Sequence, residues 1–166
     1  MMEYRILRAQ PTDWQQVRSV RLRALADAPD AFGSTFKEEQ QLTDNKWRSR
    51  SENVNIAQFL AISPSGNGFG IAVGAPCSEQ EQTAGLFSMW VAPEARKLRI
   101  GIALVQTVID WAQSENYRRI ILDVGDTNTP AIRLYQSCGF IPTGRTGSLP
   151  PPRDHIGELE MERMLS

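Results

Sequence analysis

A basic segment that leads into an apolar helix is the part of the sequence best suited to bind a ligand. Arg96, Lys97 and Arg99 place three cations within four positions, and Gly101 follows closely. The helix predicted from Ile100 to Trp111 is apolar almost all round, so it should be buried against a sheet. Its unpaired N-terminal N–H groups and its dipole attract anions, and glycine allows close backbone approach. The segment predicts a diphosphate cradle, with a solvated basic turn before a core helix as the alternative.

Other phosphate and metal motifs are missing from the sequence. The chain contains neither the GxxxxGK[ST] pattern of a P-loop nor the GxGxxG pattern of nicotinamide-binding folds. Its two cysteines, Cys77 and Cys138, lie far apart, and His155 is the one histidine. A zinc site of the usual Cys/His type is therefore not expected, and no metal is predicted.

Composition predicts one soluble domain over residues 1–166. A length of 166 residues fits a single domain, and 41% hydrophobic with 22% charged residues is typical of a globular protein. The net charge of −1 disfavours nucleic-acid binding through a large basic surface. The start of the chain has no apolar signal core, and Pro and Gly interrupt the longest uncharged run, Asn53 to Ser78. We therefore expect a reduced, cytoplasmic protein that contacts no membrane.

The order of predicted elements defines a mixed sheet. Strands are predicted at Tyr4–Arg8, Gln58–Ser63, Phe69–Ala75, Thr83–Val91, Arg119–Val124, Phe140–Thr143 and Ile156–Leu165. Helices are predicted from Thr12 to Ala26, from Thr35 or Thr43 to Ser49, from Ile100 to Trp111 and from Pro130 to Ser137. Short turns make the middle strands antiparallel, whereas the helical crossover from Thr83 to Val124 requires a parallel pair. The fold class is α+β, a mostly antiparallel mixed sheet flanked by helices, with an extended, exposed loop from Gly144 to Asp154.

Two motifs resemble those of the GNAT superfamily of N-acetyltransferases. Residues Val91–Arg96 followed by Gly101–Leu104 are similar to its acetyl-CoA signature, in which Arg/Gln-x-x-Gly-x-Gly/Ala falls on Arg96, Arg99 and Gly101. A second block, Asn128–Phe140, is similar to the family's Asn-x-x-Ala-x-x-Leu-Tyr-x-x-x-Gly-Phe. The two blocks have the expected separation and element order. The resemblance implies a GNAT-like fold that binds acetyl-CoA.

The resemblance also implies which residues hold the cosubstrate. Backbone groups of Met89 to Val91 would pair with the pantetheine arm as an added strand would. Arg99 departs from the family pattern, which has Gly there, and we expect the loop to accept a side chain whose guanidinium reaches a phosphate. Asn128 would hold the cofactor arm, cap the following helix, or do both. The implied cosubstrate-binding residues are Met89, Trp90, Val91, Arg96, Lys97, Leu98, Arg99, Ile100, Gly101, Ile102, Ala103, Asn128, Ala131 and Tyr135.

Tyr135 is the catalytic residue that the resemblance implies. Acyl transfer to an amine expels a thiolate, which needs a proton or a hydrogen bond. A phenol, with a pKa near 10, is neutral at pH 7 and can donate. The alternative is a helix residue that packs on the sheet. Cys138 lacks any sign of a histidine partner, so we expect a buried filler and not a nucleophile.

The sequence does not identify a general base. The strand from Thr83 to Val91 contains no acid, and each nearby titratable residue is as readily explained as a solvated side chain. A water relay is therefore the default expectation. The alternatives are Glu38, Glu39, Glu79, Glu81, Asp123, Asp126 and His155.

Arg21 is a charge in an apolar setting. It projects onto the helix face formed by Val17, Ala24 and Leu25. It either extends its head to water or pairs with Glu38, Glu39 or an acidic group of the substrate, which makes these three residues candidates for substrate binding.

Together these features favour an N-acetyltransferase that moves acetyl directly from acetyl-CoA to a primary amine of a small molecule or peptide. One alternative is a non-catalytic acyl-CoA-binding regulatory module, and another is a phosphate-binding protein of unrelated fold. A homodimer is left open.

Overall fold

A seven-stranded sheet forms the centre of the molecule. The computed structural model describes residues 3–77, 80–96 and 98–166. Within them the strands follow the order β1-β2-β3-β4-β5-β7-β6 across one sheet. Their bounds are β1 Arg5–Arg8, β2 Ala57–Ile62, β3 Gly68–Pro76, β4 Thr83–Val91, β5 Arg119–Gly125, β6 Ile141–Ser148 and β7 Gly157–Met164.

Helices cover both faces of the sheet. They are α1 Trp14–Asp27, α2 Phe36–Gln40, α3 Asp44–Glu52, α4 Ile100–Ser114 and α5 Thr129–Ser137. The predicted start at Thr43 is confirmed by α3, whereas Thr35 begins a separate helix, α2, so two helices form where one segment was predicted. Each threonine is an N-cap: Thr35 Oγ1 accepts from the N–H of Glu38, and Thr43 Oγ1 from that of Lys46, both at 3.2 Å.

The pairing of the strands confirms the predicted α+β mixed sheet. Strands β4 and β5 run parallel, and the other adjacent pairs in the described sheet are antiparallel. Helix α4 makes the crossover and packs on β2, β3 and β4. At Gly74 of β3 the contact is so close that a Cβ would lie 2.6 Å from the Trp111 ring. Glycine at this position lets the helix approach the sheet.

The segment after α5 differs from the prediction. Strand β6 continues to Ser148, so the first part of the stretch expected as an exposed loop is in the sheet. Leu149 is buried, because the loop that follows folds back on the molecule. Gly139 has the predicted left-handed conformation, with φ of 88°.

Within the described ranges, no helix combines the length and apolar character needed to cross a membrane. The same residues contain no cluster of three or more His, Cys, Asp or Glu side chains that could hold a metal ion.

Candidate active site

Strands β4 and β5 separate and open a cleft between them. They pair only from Thr83–Arg119 to Gly85–Ile121, and the later residues of both strands diverge. The interstrand cleft between the diverging ends has a volume of about 590 Å³. Its lining residues are Arg21, Asp30, Ala31, Phe32, Gly33, Ser34, Leu86, Phe87, Ser88, Met89, Asp123, Val124, Gly125, Thr127, Asn128, Ala131, Tyr135, Leu149, Pro150, Ile156 and Glu158.

A bulge in β4 lies at the mouth of this separation. The register with β3 shifts by one residue, so that Ser88 and Met89 both face Ala72. Ser88 takes up the extra length with a positive φ of 59°. Its hydroxyl accepts a hydrogen bond from the Arg21 guanidinium. The bulge therefore joins β4 to α1 beyond the point where β4 and β5 part.

The N-terminus of α4 is free to bind an anion. Its first N–H groups have no side-chain cap from the described residues. A Cβ on Gly101 would lie 3.2 Å from Met89 Cε and 3.3 Å from Leu134 Cδ2, so this turn packs tightly between β4 and α5. Arg99, the N-cap residue, is left-handed with φ of 62°. The loop accepts the Arg99 side chain, but in the left-handed conformation that favours glycine, which costs about 1–2 kcal/mol.

Arg96 is engaged within the protein. Its Nε donates to the carbonyl of Val91 at 3.0 Å, and its Nη2 donates to Asp27 Oδ2 at 2.8 Å. The same carboxylate accepts from Trp90 Nε1 at 2.9 Å. Arg96 thus ties the loop to the end of α1, which reduces its part in the cationic cluster. Lys97, predicted in that cluster, lies outside the described residues.

The other predicted cosubstrate residues divide into two groups. Met89, Asn128, Ala131 and Tyr135 line the cleft. The remainder lie around the loop and first turn of α4 and do not line it: Trp90 and Ile100 are buried, and Val91, Leu98, Ile102 and Ala103 are partly buried. Asn128 is also a helix cap, because its Oδ1 accepts from the N–H of Ala131 at 3.3 Å.

Tyr135 is a buried phenol at the wall of the cleft. The side chain is 7% exposed, and its ring meets Phe140 edge to face at 6.0 Å. The hydroxyl makes no hydrogen bond with any described residue. Burial raises the pKa of Tyr135, because the phenolate would lose its hydration. The hydroxyl is therefore a neutral donor with no partner of its own.

Arg21 joins the cleft to a buried carboxylate. Its Nε and Nη2 donate to the two oxygens of Glu39 at 3.1 and 2.8 Å. Arg50 donates to Glu39 Oε1 at 3.0 Å. Burial alone would raise the pKa of Glu39, but hydrogen bonds from Arg21 and Arg50 and the Arg21 charge outweigh it, so the pKa is lowered. Glu38, in contrast, is exposed and does not line the cleft.

The candidate general bases differ in whether they line the cleft. Asp123 lines the cleft, and burial together with the charge of Glu160 raises its pKa. Glu81, Asp126 and His155 are exposed and do not line the cleft, and Glu79 lies outside the described residues. Cys138 is buried, and burial raises the pKa of its thiol, as suits a filler.

Two acidic residues that line the cleft were not predicted from the sequence. Glu158 comes from β7, which pairs with β5, and burial and the charge of Asp123 raise its pKa. Asp30 comes from the loop after α1. No local pattern marks either residue, because strand pairing and loop packing bring them to the cleft.

Arg153 fastens two loops at one end of the cleft. Its Nη1 donates to the carbonyls of Pro29 and Phe32 at 2.6 and 2.9 Å, and its Nη2 donates to that of Gly33 at 3.1 Å. Both connected loops contribute lining residues. The segment predicted as an exposed loop is therefore part of the cleft wall.

Known proteins of similar sequence and structure are acetyltransferases. An uncharacterized N-acetyltransferase of Schizosaccharomyces pombe is 31% identical over 69% of this chain, which spans 63% of that protein. A GCN5-related N-acetyltransferase from Kribbella flavida shares the fold with a TM-score of 0.77 and 28% identity, with 98% of each chain covered. A phosphinothricin acetyltransferase from Sinorhizobium meliloti, solved in complex with AcCoA, has a TM-score of 0.81 at 17% identity, with 99% of this chain and 90% of that chain covered.

The family profile described as Acetyltransferase (GNAT) family matches residues 21–140. That range contains the bulged strand, the open N-terminus of α4 and Tyr135. The predicted resemblance is thereby confirmed, and the chain belongs to the GNAT acetyltransferase family, which supports acyl transfer from an acyl-CoA.

Proposed function

We propose that the protein is an N-acetyltransferase that moves an acetyl group from acetyl-CoA to a primary amine of a small molecule or peptide. The observation that carries this proposal is Tyr135 on the wall of the interstrand cleft: the residue is 7% exposed, and its neutral hydroxyl has no hydrogen-bond partner among the described residues. Both cysteines are free thiols. This supports the cytoplasmic location that we propose with the activity.

The residues of the cleft fit an acyl-CoA. The uncapped N–H groups at the start of α4, with Gly101 among them, suit its diphosphate. Residues Met89 to Val91 lie beyond the end of the β4–β5 pairing, so their backbone groups on the β5 side suit the amide groups of its pantetheine arm. Asn128 and Ala131 border the same cleft at the start of α5. When bound, the acyl-CoA supplies an activated thioester carbonyl.

Tyr135 acts as the acid in this mechanism. The amine nitrogen attacks the thioester carbonyl, the C–S bond breaks, and the sulfur receives a proton or hydrogen bond from the Tyr135 hydroxyl. The amine loses its surplus proton to a water or a carboxylate of the cleft. Because burial keeps Tyr135 protonated, it holds its donor form throughout the neutral range. The remaining contribution is positioning of the two substrates.

Release of free CoA thiol from acetyl-CoA, measured across a panel of primary amines, tests the proposal. Calorimetry with CoA measures cosubstrate binding independently of turnover. Binding with thiol release that depends on an amine supports the enzyme. Binding with no turnover for any amine would replace it with a regulatory acyl-CoA-binding module, and failure to bind CoA would remove both.

A further inference from the structure

The interstrand cleft has an acidic lining. Asp30, Asp123 and Glu158 contribute three carboxylates, whereas Arg21 is the one Lys or Arg among the described lining residues. The charge of Arg21 is partly offset, because two of its nitrogens bind the Glu39 carboxylate, which Arg50 also shares. An approaching ligand therefore meets net negative charge.

Asp123 and Glu158 are neighbours on one face of the sheet. The β5–β7 register sets Asp123 opposite Glu160 and Gly125 opposite Glu158, which places Glu158 diagonal to Asp123. Diagonal neighbours are about 7–8 Å apart at Cα, within reach of a shared ligand. Both side chains line the cleft. We call Asp123 and Glu158 the carboxylate pair.

No described side chain forms an ion pair with either member of the carboxylate pair. Glu160 is satisfied elsewhere: Thr143 donates to it at 2.9 Å, and Arg119 lies at 3.8 Å. Neither member of the carboxylate pair makes a side-chain hydrogen bond or ion pair with a described residue. Arg145 offsets part of the charge around Asp123, but burial and Glu160 still raise the pKa of that carboxyl. An exposed carboxylate, Asp123, and a partly buried one, Glu158, whose charges repel, suit a cationic ligand.

An independent observation indicates that a ligand enters the same cavity. Tyr135 lines the cleft and is only 7% exposed, and its hydroxyl makes no hydrogen bond with a described residue. A hydroxyl that has no partner in the protein forms its hydrogen bond with a ligand or water in the cleft. The carboxylate pair and Tyr135 therefore border one space for the reacting groups.

The end of the cleft is restricted in a way that favours a small acceptor. Arg153 fastens the loop after β6 to the carbonyls of Pro29, Phe32 and Gly33 across this end. The cavity of about 590 Å³ must also receive the acyl end of the cosubstrate. A short alkyl chain fits this space better than a folded protein segment.

We propose that the carboxylate pair binds a second ammonium group of the acceptor, so that the preferred acceptor is a small alkyl diamine. One amine is acetylated while the other is held by Asp123 and Glu158. This inference rests on the proposed acetyl transfer and adds the chemical class of the acceptor. The carboxylate pair then determines which acceptor amine is preferred and takes no part in binding the acyl-CoA.

The first test compares 1,4-diaminobutane with butylamine at constant ionic strength. The measured quantity is the ratio of kcat/KM for the diamine to kcat/KM for the monoamine. We expect the diamine to be preferred and the ratio to fall at least tenfold in the double variant Asp123→Asn/Glu158→Gln. Glu115→Gln, an exposed acid after α4, is the matched control and should keep the ratio. An unchanged ratio in the double variant would overturn the proposal. This holds even if kcat/KM falls equally for the diamine and the monoamine, because loss of a general base would have that effect.

The second test separates this inference from the proposed activity. Calorimetry measures binding of 1,4-diaminobutane to the full chain saturated with CoA. We expect at least tenfold weaker binding in the double variant, and thermal melting checks that it folds. If the double variant binds the diamine more weakly but no amine is acetylated, the cation site is supported and the proposed acetyltransferase activity is wrong. Equal binding to both proteins overturns the site, and a preference for a dibasic peptide over the diamine overturns the small-molecule class.

Discussion

Arg21 and Glu39 meet in a two-point ion pair beneath the interstrand cleft. Arg21 Nε lies 3.1 Å from Glu39 Oε1, and Arg21 Nη2 lies 2.8 Å from Glu39 Oε2. Glu39 is 2% exposed, so its charge depends on these partners and on Arg50. Of the alternatives for Arg21, pairing with a carboxylate of α2 is confirmed. The third donor of Arg21 reaches Ser88, which connects the pair to the bulge of β4.

Arg21→Leu should lower the free energy of unfolding by about 3 kcal/mol, because it leaves Glu39 buried with only Arg50 to bind it. Urea denaturation measures this loss. The double variant Arg21→Leu/Glu39→Leu should recover most of it, since no buried charge is left stranded. An unchanged melting temperature in Arg21→Leu would show that the pair adds nothing to stability.

Stability should fall in acid partly through Glu39. Its pKa in the folded protein is lowered from the ordinary value of 4.5, so its contribution is complete above that value and lost as pH falls through the folded pKa. Glu39→Gln should therefore flatten the dependence of unfolding free energy on pH below about 4.5. Glu38→Gln, on the exposed neighbour, should not. Equal slopes in wild type and Glu39→Gln would contradict the assignment.

Gly101→Asp should weaken CoA binding at least tenfold, about 1.4 kcal/mol. The new Cβ would crowd Met89 and Leu134, and the carboxylate would repel a diphosphate at the start of α4. Gly147→Asp adds the same charge on β6 where a Cβ meets nothing within 4 Å, and it should keep full affinity. Calorimetry on folded variants measures both. Wild-type affinity in Gly101→Asp would remove this turn from the binding site.

Tyr135→Phe should reduce kcat by about 10²–10⁴ while CoA affinity and folding persist, because only the donor hydroxyl is removed. Tyr117→Phe is the matched control: this ring packs on Trp111 at the end of α4, 5.5 Å between centroids. It should keep kcat. A kcat within threefold of wild type in Tyr135→Phe would assign protonation of the sulfur to water.

Arg99→Gly should raise the unfolding free energy by about 1 kcal/mol, since glycine adopts φ of 62° without steric cost. The same change should weaken CoA binding if the guanidinium contacts a phosphate. Asn116→Gly supplies the comparison, with φ of 65° on an exposed residue after α4. It should leave CoA affinity unchanged. Arg99→Gly with unchanged stability and affinity would leave this arginine without either role.

Local patterns predicted most of the secondary structure. Strand β4 has the predicted bounds, and β5 and α5 each differ by one residue at an end, because alternation, caps and glycine signals act over a few residues. The same capping signals lay at both Thr35 and Thr43, but the sequence did not indicate that each starts its own helix.

The composition of the candidate site was only partly predictable. Motifs placed Met89, Asn128 and Tyr135 at the cleft. They did not reveal that Arg96 is bound by Asp27, 69 positions earlier in the chain, or that β7 brings Glu158 beside Asp123. These contacts depend on the packing of distant segments. The positive φ of Arg99 was missed because the residue type disfavours it, and only the surrounding packing imposes it.

The extra residue in β4 has a consequence for how this strand can change over evolution. Because Ser88 and Met89 share one partner, Phe87 and Trp90 lie on the same face, and Trp90 can donate to Asp27 at the end of α1. Deleting one residue here would turn the indole to the opposite face, toward α4. Many side chains in the strand can be exchanged, but its residue count is constrained. Homologous sequences should therefore vary here by substitution and not by insertion or deletion.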